Sequence, residues 1–224
     1  MRFLLLNLLI IPFFFSCARG FRTKKLVYST PSTAFYELER DQVPNKQLIE
    51  GKLIHPQKIE PSKIADIIGN LKFTKTTRIN NFQGFIFHEK ELPQLSEDIS
   101  IALENLNDEK IMVVISQYDH MKSVVSTYKR TSFYLWINEE GLNIVFGEIQ
   151  GDVSREDSSN FYDWTQVESI SLKQRPDENE IILEKDIFSF KKVKGFFNHK
   201  WLIFSLTDLD KYKLNRSLPE VIEK

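Results

Sequence analysis

The chain has 224 residues, 30 Lys and Arg against 31 Asp and Glu, one cysteine and 18 phenylalanines. With a net charge of −1 and basic residues interspersed with acidic ones rather than gathered in blocks, nothing points to a nucleic-acid partner. A lone cysteine excludes an internal disulfide framework or a cysteine-rich zinc site, so the fold rests on its apolar core.

The chain opens with Arg2 and an apolar run from Phe3 to Phe15, broken only by Asn7 and Pro12. That run has the length of a signal-peptide core and is too short to span a bilayer, which needs about 20 apolar residues. Cys17 follows a small residue, Ser16, at the end of the run. This Ser16-Cys17 junction resembles the lipobox of bacterial lipoproteins, with Phe14 and Phe15 where an aliphatic and a small residue are usual. The resemblance implies cleavage before Cys17, acylation of its thiol, and membrane attachment through several acyl chains, each buried methylene adding about 0.8 kcal/mol. It also implies a cell-envelope address, with Arg19 in place of a second-position Asp pointing to the outer membrane. Arg19, Arg22, Lys24 and Lys25 follow as a basic tether that can meet anionic headgroups.

The remaining chain divides into a lipidated N-terminus and tether over 17–46, one domain over 47–216 and a tail over 217–224. The tether carries the turn signals "STPSTA" and "DQVPNK" and a short strand at 26–29. "QLIEGKLI" (47–54) reads as a strand ended by His55-Pro56. "EPSKIADIIGNL" reads as a helix, with Pro61 in its first turn, Ile64, Ile67, Ile68 and Leu71 on one face, and Gly69-Asn70 as its stop. Strands follow at "KFTKTTRI" and "GFIFHEK". A second helix around Pro93 has Leu92, Leu95, Ile99, Ala102, Leu103 and Leu106 on one stripe. Glu97, Asp98 and Glu104 form its solvated face.

"KIMVVISQY" is apolar over most of its length, as a strand covered on both faces requires. In "TSFYLWINEEGLNIVFGEI" Phe133, Leu135 and Ile137 share one face and Tyr134 and Trp136 the other. Asn138 to Gly141 make the turn, and Leu142, Ile144 and Phe146 continue the apolar face. "GDVSREDSSNFYD" is a polar surface loop. Further strands are predicted at "QVESISLK", "NEIILEK", "IFSFKKV" and "WLIFSL", then a short helix capped by Thr207. Early helices and late strands give an α+β fold: a largely antiparallel sheet with two main helices packed on one face. The stretch "IHPQKIEPSKIADIIGNLKF" (54–73) is similar to the start of uncharacterised bacterial lipoproteins, a resemblance that implies an address and a fold but no activity.

The candidate chemistries are sparse. His55, His88, His120 and His199 show no close metal-ligand spacing, and His55 is expected to be structural. Asp119, His120 and Ser123 lie close together but lack the strand–turn–helix elbow of a hydrolase nucleophile. Asp152, Glu156, Asp157, Asn160 and Asp163 lack calcium-loop spacing. Asp208 and Asp210 suit a helix start. Tyr134 with Trp136, and Phe196 with Phe197 and Trp201, are the candidate recognition aromatics.

The expectation is a lipid-anchored envelope protein without catalytic residues, metal or cofactor, lipidated at Cys17, with the membrane and an envelope protein as partners. An envelope hydrolase with a site assembled from distant residues and a surface-exposed adhesin are the alternatives.

Overall fold

The computed structural model describes residues 24–76, 81–119, 127–174, 180–183 and 185–216. The centre of the main sheet forms from strongly apolar stretches. Strand β5 (Lys110–Tyr118) is buried from Ile111 through Gln117 and pairs antiparallel with β6 (Tyr128–Asn138). Strand β7 (Gly141–Phe146) returns along β6 after a tight turn in which Gly141 has φ +131°.

Around this centre lie β1 (Lys25–Ser29), β2 (Thr33–Glu39), β8 (Gly151–Val153), β10 (Ser189–Val193) and β11 (Phe196–Phe204). They complete an eight-stranded sheet of order β1-β2-β5-β6-β7-β11-β10, with β8 beside the first part of β6, and every pairing in it is antiparallel. The sheet therefore takes in residues that the sequence assigns to the tether. A second, three-stranded sheet of order β4-β3-β9 joins β3 (Lys72–Thr76), β4 (Asn81–Phe85) and β9 (Glu180–Ile182).

Two helices exceed two turns: α1 (Pro61–Gly69) and α2 (Leu92–Asn105), each with a proline at its start, where the missing N–H costs nothing. Two short helices, α3 (Arg155–Ser159) and α4 (Phe161–Trp164), follow β8. An α+β mixture built on a mostly antiparallel sheet is thus the architecture.

Strand alternation sends side chains to two separate cores. Phe133, Leu135 and Ile137 join Leu142, Ile144 and Phe146 in one buried cluster, together with Ile64, Ile67 and Ile68 of α1 and Leu95, Ile99 and Leu103 of α2. Tyr134, Trp136, Val145 and Trp201 belong to a second cluster with Val43, Ile49, Leu53, Trp164, Ile170 and Leu172. Among the described residues, no α-helix of more than five residues contributes to this second face. It is closed by the largely irregular segments 43–53 and 165–172, with Trp164 at the end of α4.

Four expectations are corrected here. Residues 47–54 form a 3-10 turn at Lys46–Leu48 and a single bridge from Leu53 to Asn138, not a strand. Residues 166–173 join no strand ladder, because Ile170 and Leu172 serve the second core instead of an edge. Asp98 is fully buried rather than solvated, accepting from Thr33 Oγ1 at 2.8 Å and Gln94 Nε2 at 2.9 Å. The C-terminal turn, Leu206–Lys211, is 3-10 and begins after Ser205 rather than at Thr207.

Candidate functional site

A groove of about 620 Å³ runs between α1 and α2 and is closed at one side by the last described residues. Pro61, Ser62 and Ala65 form the α1 wall, and Leu92, Pro93, Ser96 and Glu97 the α2 wall. Glu89, Leu214 and Arg216 complete it. Its volume lies within the range of small-ligand sites.

Each wall has a local cause. The two helices approach closely because Gly69 carries no side chain: a Cβ there would lie 2.5 Å from Leu214 Cδ1 and 2.9 Å from Leu92 Cδ1. The segment 213–216 is clamped against α1 by polar contacts. Asn70 Nδ2 donates to the Lys213 carbonyl at 2.7 Å, the Leu214 N–H donates to Asp66 Oδ1 at 2.8 Å, and the Asn215 N–H donates to Asn70 Oδ1 at 2.8 Å. Ser100 Oγ donates to the Ile59 carbonyl at 2.6 Å and fixes the approach to α1.

The electrostatics concentrate where Arg216 meets the start of α2. The guanidinium lies 4.2 Å above the Phe85 ring, and its Nη2 donates to the Phe87 carbonyl at 2.8 Å. Burial lowers its pKa, while the charges of Glu89 and Glu91 act in the opposite sense. Burial also raises the Glu91 carboxyl to about 8, against the opposing effects of the His88 N–H and Arg216. Glu91 is therefore mostly protonated near neutral pH. Ser96 Oγ and Arg216 Nη1 are buried without a hydrogen-bond partner among the described residues. Unpaired buried polar atoms are uncommon enough to call for an explanation.

Chemically, the groove offers an apolar trough with one guanidinium, two glutamates and two hydroxyls. Among the described residues its lining holds no histidine or cysteine beside Ser62 or Ser96.

The residues singled out from sequence are scattered. Cys17, His120 and Ser123 lie outside the described residues, so the Asp119 cluster has no described geometry beyond Asp119 itself. His55, after which the peptide bond to Pro56 is cis, is buried; its Nε2 accepts the Ile137 N–H at 3.2 Å, and burial lowers its pKa to about 4. It is a neutral structural histidine. His88 stacks on Tyr118 at 4.6 Å, and His199 packs edge-on against Phe190 at 4.8 Å.

In the acidic loop, Asp152 and Asn160 serve local structure. Asp152 accepts from Lys129 Nζ at 2.6 Å and Thr127 Oγ1 at 2.9 Å. Ser154 and Asn160 cap α3 and α4. Among the described residues no group of three His, Cys, Asp or Glu side chains is placed to hold a metal ion, and no helix is long and apolar enough to cross a membrane.

The expected aromatic surfaces are corrected. Tyr134, Trp136 and Trp201 are buried, closed off by the irregular cover of the second core, whereas Phe196 and Phe197 are exposed. The groove itself had no sequence signature, since its walls meet only through tertiary packing.

No family model, curated protein or solved structure matches this chain.

Proposed function

We propose that this chain is a lipid-anchored protein of the bacterial cell envelope, held in the outer membrane by acyl chains on Cys17. It acts there as a binding or assembly module rather than an enzyme. The observation that carries this reading is the Ser16-Cys17 junction at the end of a 3–15 apolar run. Two features of the described residues support the binding half: a mostly apolar groove beside Arg216, and the use of His55, Asp152, Asn160 and most aromatics in structural roles.

The groove is the seat of the partner or ligand. In this reading the two main helices form one layer over a single sheet face, their buried residues shared with that face, and the groove lies between them. Extended apolar ligands fit the trough, with Arg216 and Ser62 meeting polar ends.

Membrane fractionation tests the anchor. The parent chain sediments with the envelope, and Cys17→Ala, which has no thiol to acylate, loses that attachment or keeps its leader. Catalytic turnover that disappears on changing Asp119, His120 or Ser123 would overturn the non-enzymatic half.

A further inference from the structure

The tip of the β10–β11 hairpin differs from the rest of the surface. Val193 pairs with Phe196 across a two-residue turn, and Lys194 and Gly195 both have positive φ, 53° and 86°. That is the turn geometry that matches the twist of the flanking strands, so the tip is held in one shape. Phe196 is 80% exposed and Phe197 48% exposed, and Lys192 and Lys194 beside them are also exposed. The Lys192 ammonium lies 4.9 Å over the Phe197 ring.

Two features make the tip project. Strand β11 pairs with β7 only from Trp201 to Phe204, so its first residues extend past the neighbouring strand. The β10–β11 register also shifts between Phe190 and Lys192, and such irregularities re-aim a strand. The bend is fixed by Asn198 Nδ2 donating to the Leu172 carbonyl at 3.0 Å and the His199 N–H donating to Gln174 Oε1 at 3.1 Å. Lysines on an outer strand alone would be protection against edge pairing, but that role leaves two adjacent exposed phenylalanines unexplained.

We infer that this tip is a second membrane contact, Phe196 and Phe197 entering the interfacial layer of an anionic bilayer while Lys192 and Lys194 meet its phosphates. Exposed aromatics flanked by lysines have the chemistry of that layer, apolar below and anionic above. The inference rests on the reading of the chain as lipid-anchored. From Cys17 to Lys25 the chain can span at most about 28 Å, so the anchor keeps the domain near the bilayer without fixing its orientation. A second contact would fix it.

The test uses the full acylated protein on vesicles of phosphatidylethanolamine and phosphatidylglycerol. Phe196→Cys supplies a free thiol for an environment-sensitive dye, and Tyr162→Cys, at a position 75% exposed, is the aqueous control. The label at 196 is expected to be roughly fivefold less quenched by aqueous iodide than the label at 162. The difference should shrink on phosphatidylcholine vesicles and in Lys192→Glu/Lys194→Glu. Equal quenching at the two positions on vesicle-bound protein would overturn the contact. A free thiol at Cys17 would overturn the anchor instead. The hairpin would then be judged by sedimentation of the same chain with anionic vesicles, where equal binding by Phe196→Ser/Phe197→Ser and its parent would sink it.

Discussion

The indole N–H of Trp201 donates to Asn143 Oδ1 at 2.9 Å, inside the second core, where both residues are essentially inaccessible to water. The same Asn143 donates through Nδ2 to Asn138 Oδ1 at 2.8 Å and to the Gly141 carbonyl at 3.0 Å. One side chain thus ties the β6–β7 turn to the neighbouring strand β11. Asn143→Ala would leave a buried indole N–H unpaired and is expected to cost about 2–3 kcal/mol in denaturant unfolding. Trp201→Phe should cost less in the Asn143→Ala background than in the parent, because the donor has by then lost its acceptor. Simple additivity of the two would show that the hydrogen bond contributes nothing.

The turn those residues brace depends on Gly141. A Cβ at this position would lie 2.1 Å from the Phe204 carbonyl oxygen, and its φ of +131° is one that side chains rarely adopt. Gly141→Ala is expected to destabilise by about 3 kcal/mol or more. Gly195→Ala separates strain from collision: its φ is +86° but no atom lies within 4 Å of the added Cβ, so about 1 kcal/mol is expected. Thermal or denaturant melts of the two variants check the contrast.

His55 and Glu91 set opposing pH dependences. His55 has its pKa lowered to about 4, so between pH 6.5 and 4 the unfolded chain takes up a proton that the folded one does not, and stability falls as pH falls. Glu91 is raised to about 8, so between pH 4.5 and 8 the folded chain holds a proton that the unfolded one has lost, and stability falls as pH rises. Each slope is at most about 1.4 kcal/mol per pH unit. Their contributions nearly cancel between pH 4.5 and 6.5, and the Glu91 decline is left alone from pH 6.5 to 8. Glu91→Gln should abolish that decline in urea melts taken across this range, and an unchanged slope would contradict the protonated carboxyl.

Ser96 Oγ is buried in the groove wall with no partner among the described residues. Ser96→Ala should therefore be neutral or stabilising by up to about 1 kcal/mol, since it removes an unsatisfied hydroxyl. A loss of stability would reveal a hydrogen bond that the geometry does not contain.

The sequence was most informative where one periodicity ran uninterrupted. The β6 alternation separated Phe133, Leu135 and Ile137 from Tyr134 and Trp136, and these residues do enter different cores. The helix at Pro61 announced itself through Ile64, Ile67 and Ile68. Legibility ended where burial came from chain without a period. Ile170 and Leu172 alternate like strand residues yet join no strand ladder, and Trp136 lies in a core that segments 43–53 and 164–172 close. The groove depends on Gly69, Leu92 and Leu214 meeting across 145 positions of chain, and no local pattern encodes such a meeting. The reading of residues 1–17 as a leader ending at Cys17 falls outside the described residues.

Intact-mass and N-terminal peptide mass spectrometry of protein purified from membranes bears most directly on the account. A mature chain beginning at Cys17, its thiol carrying fatty acyl chains and residues 1–16 gone, is the predicted result. An unmodified Cys17 sulfhydryl, with the leader retained or removed at another bond, would contradict it.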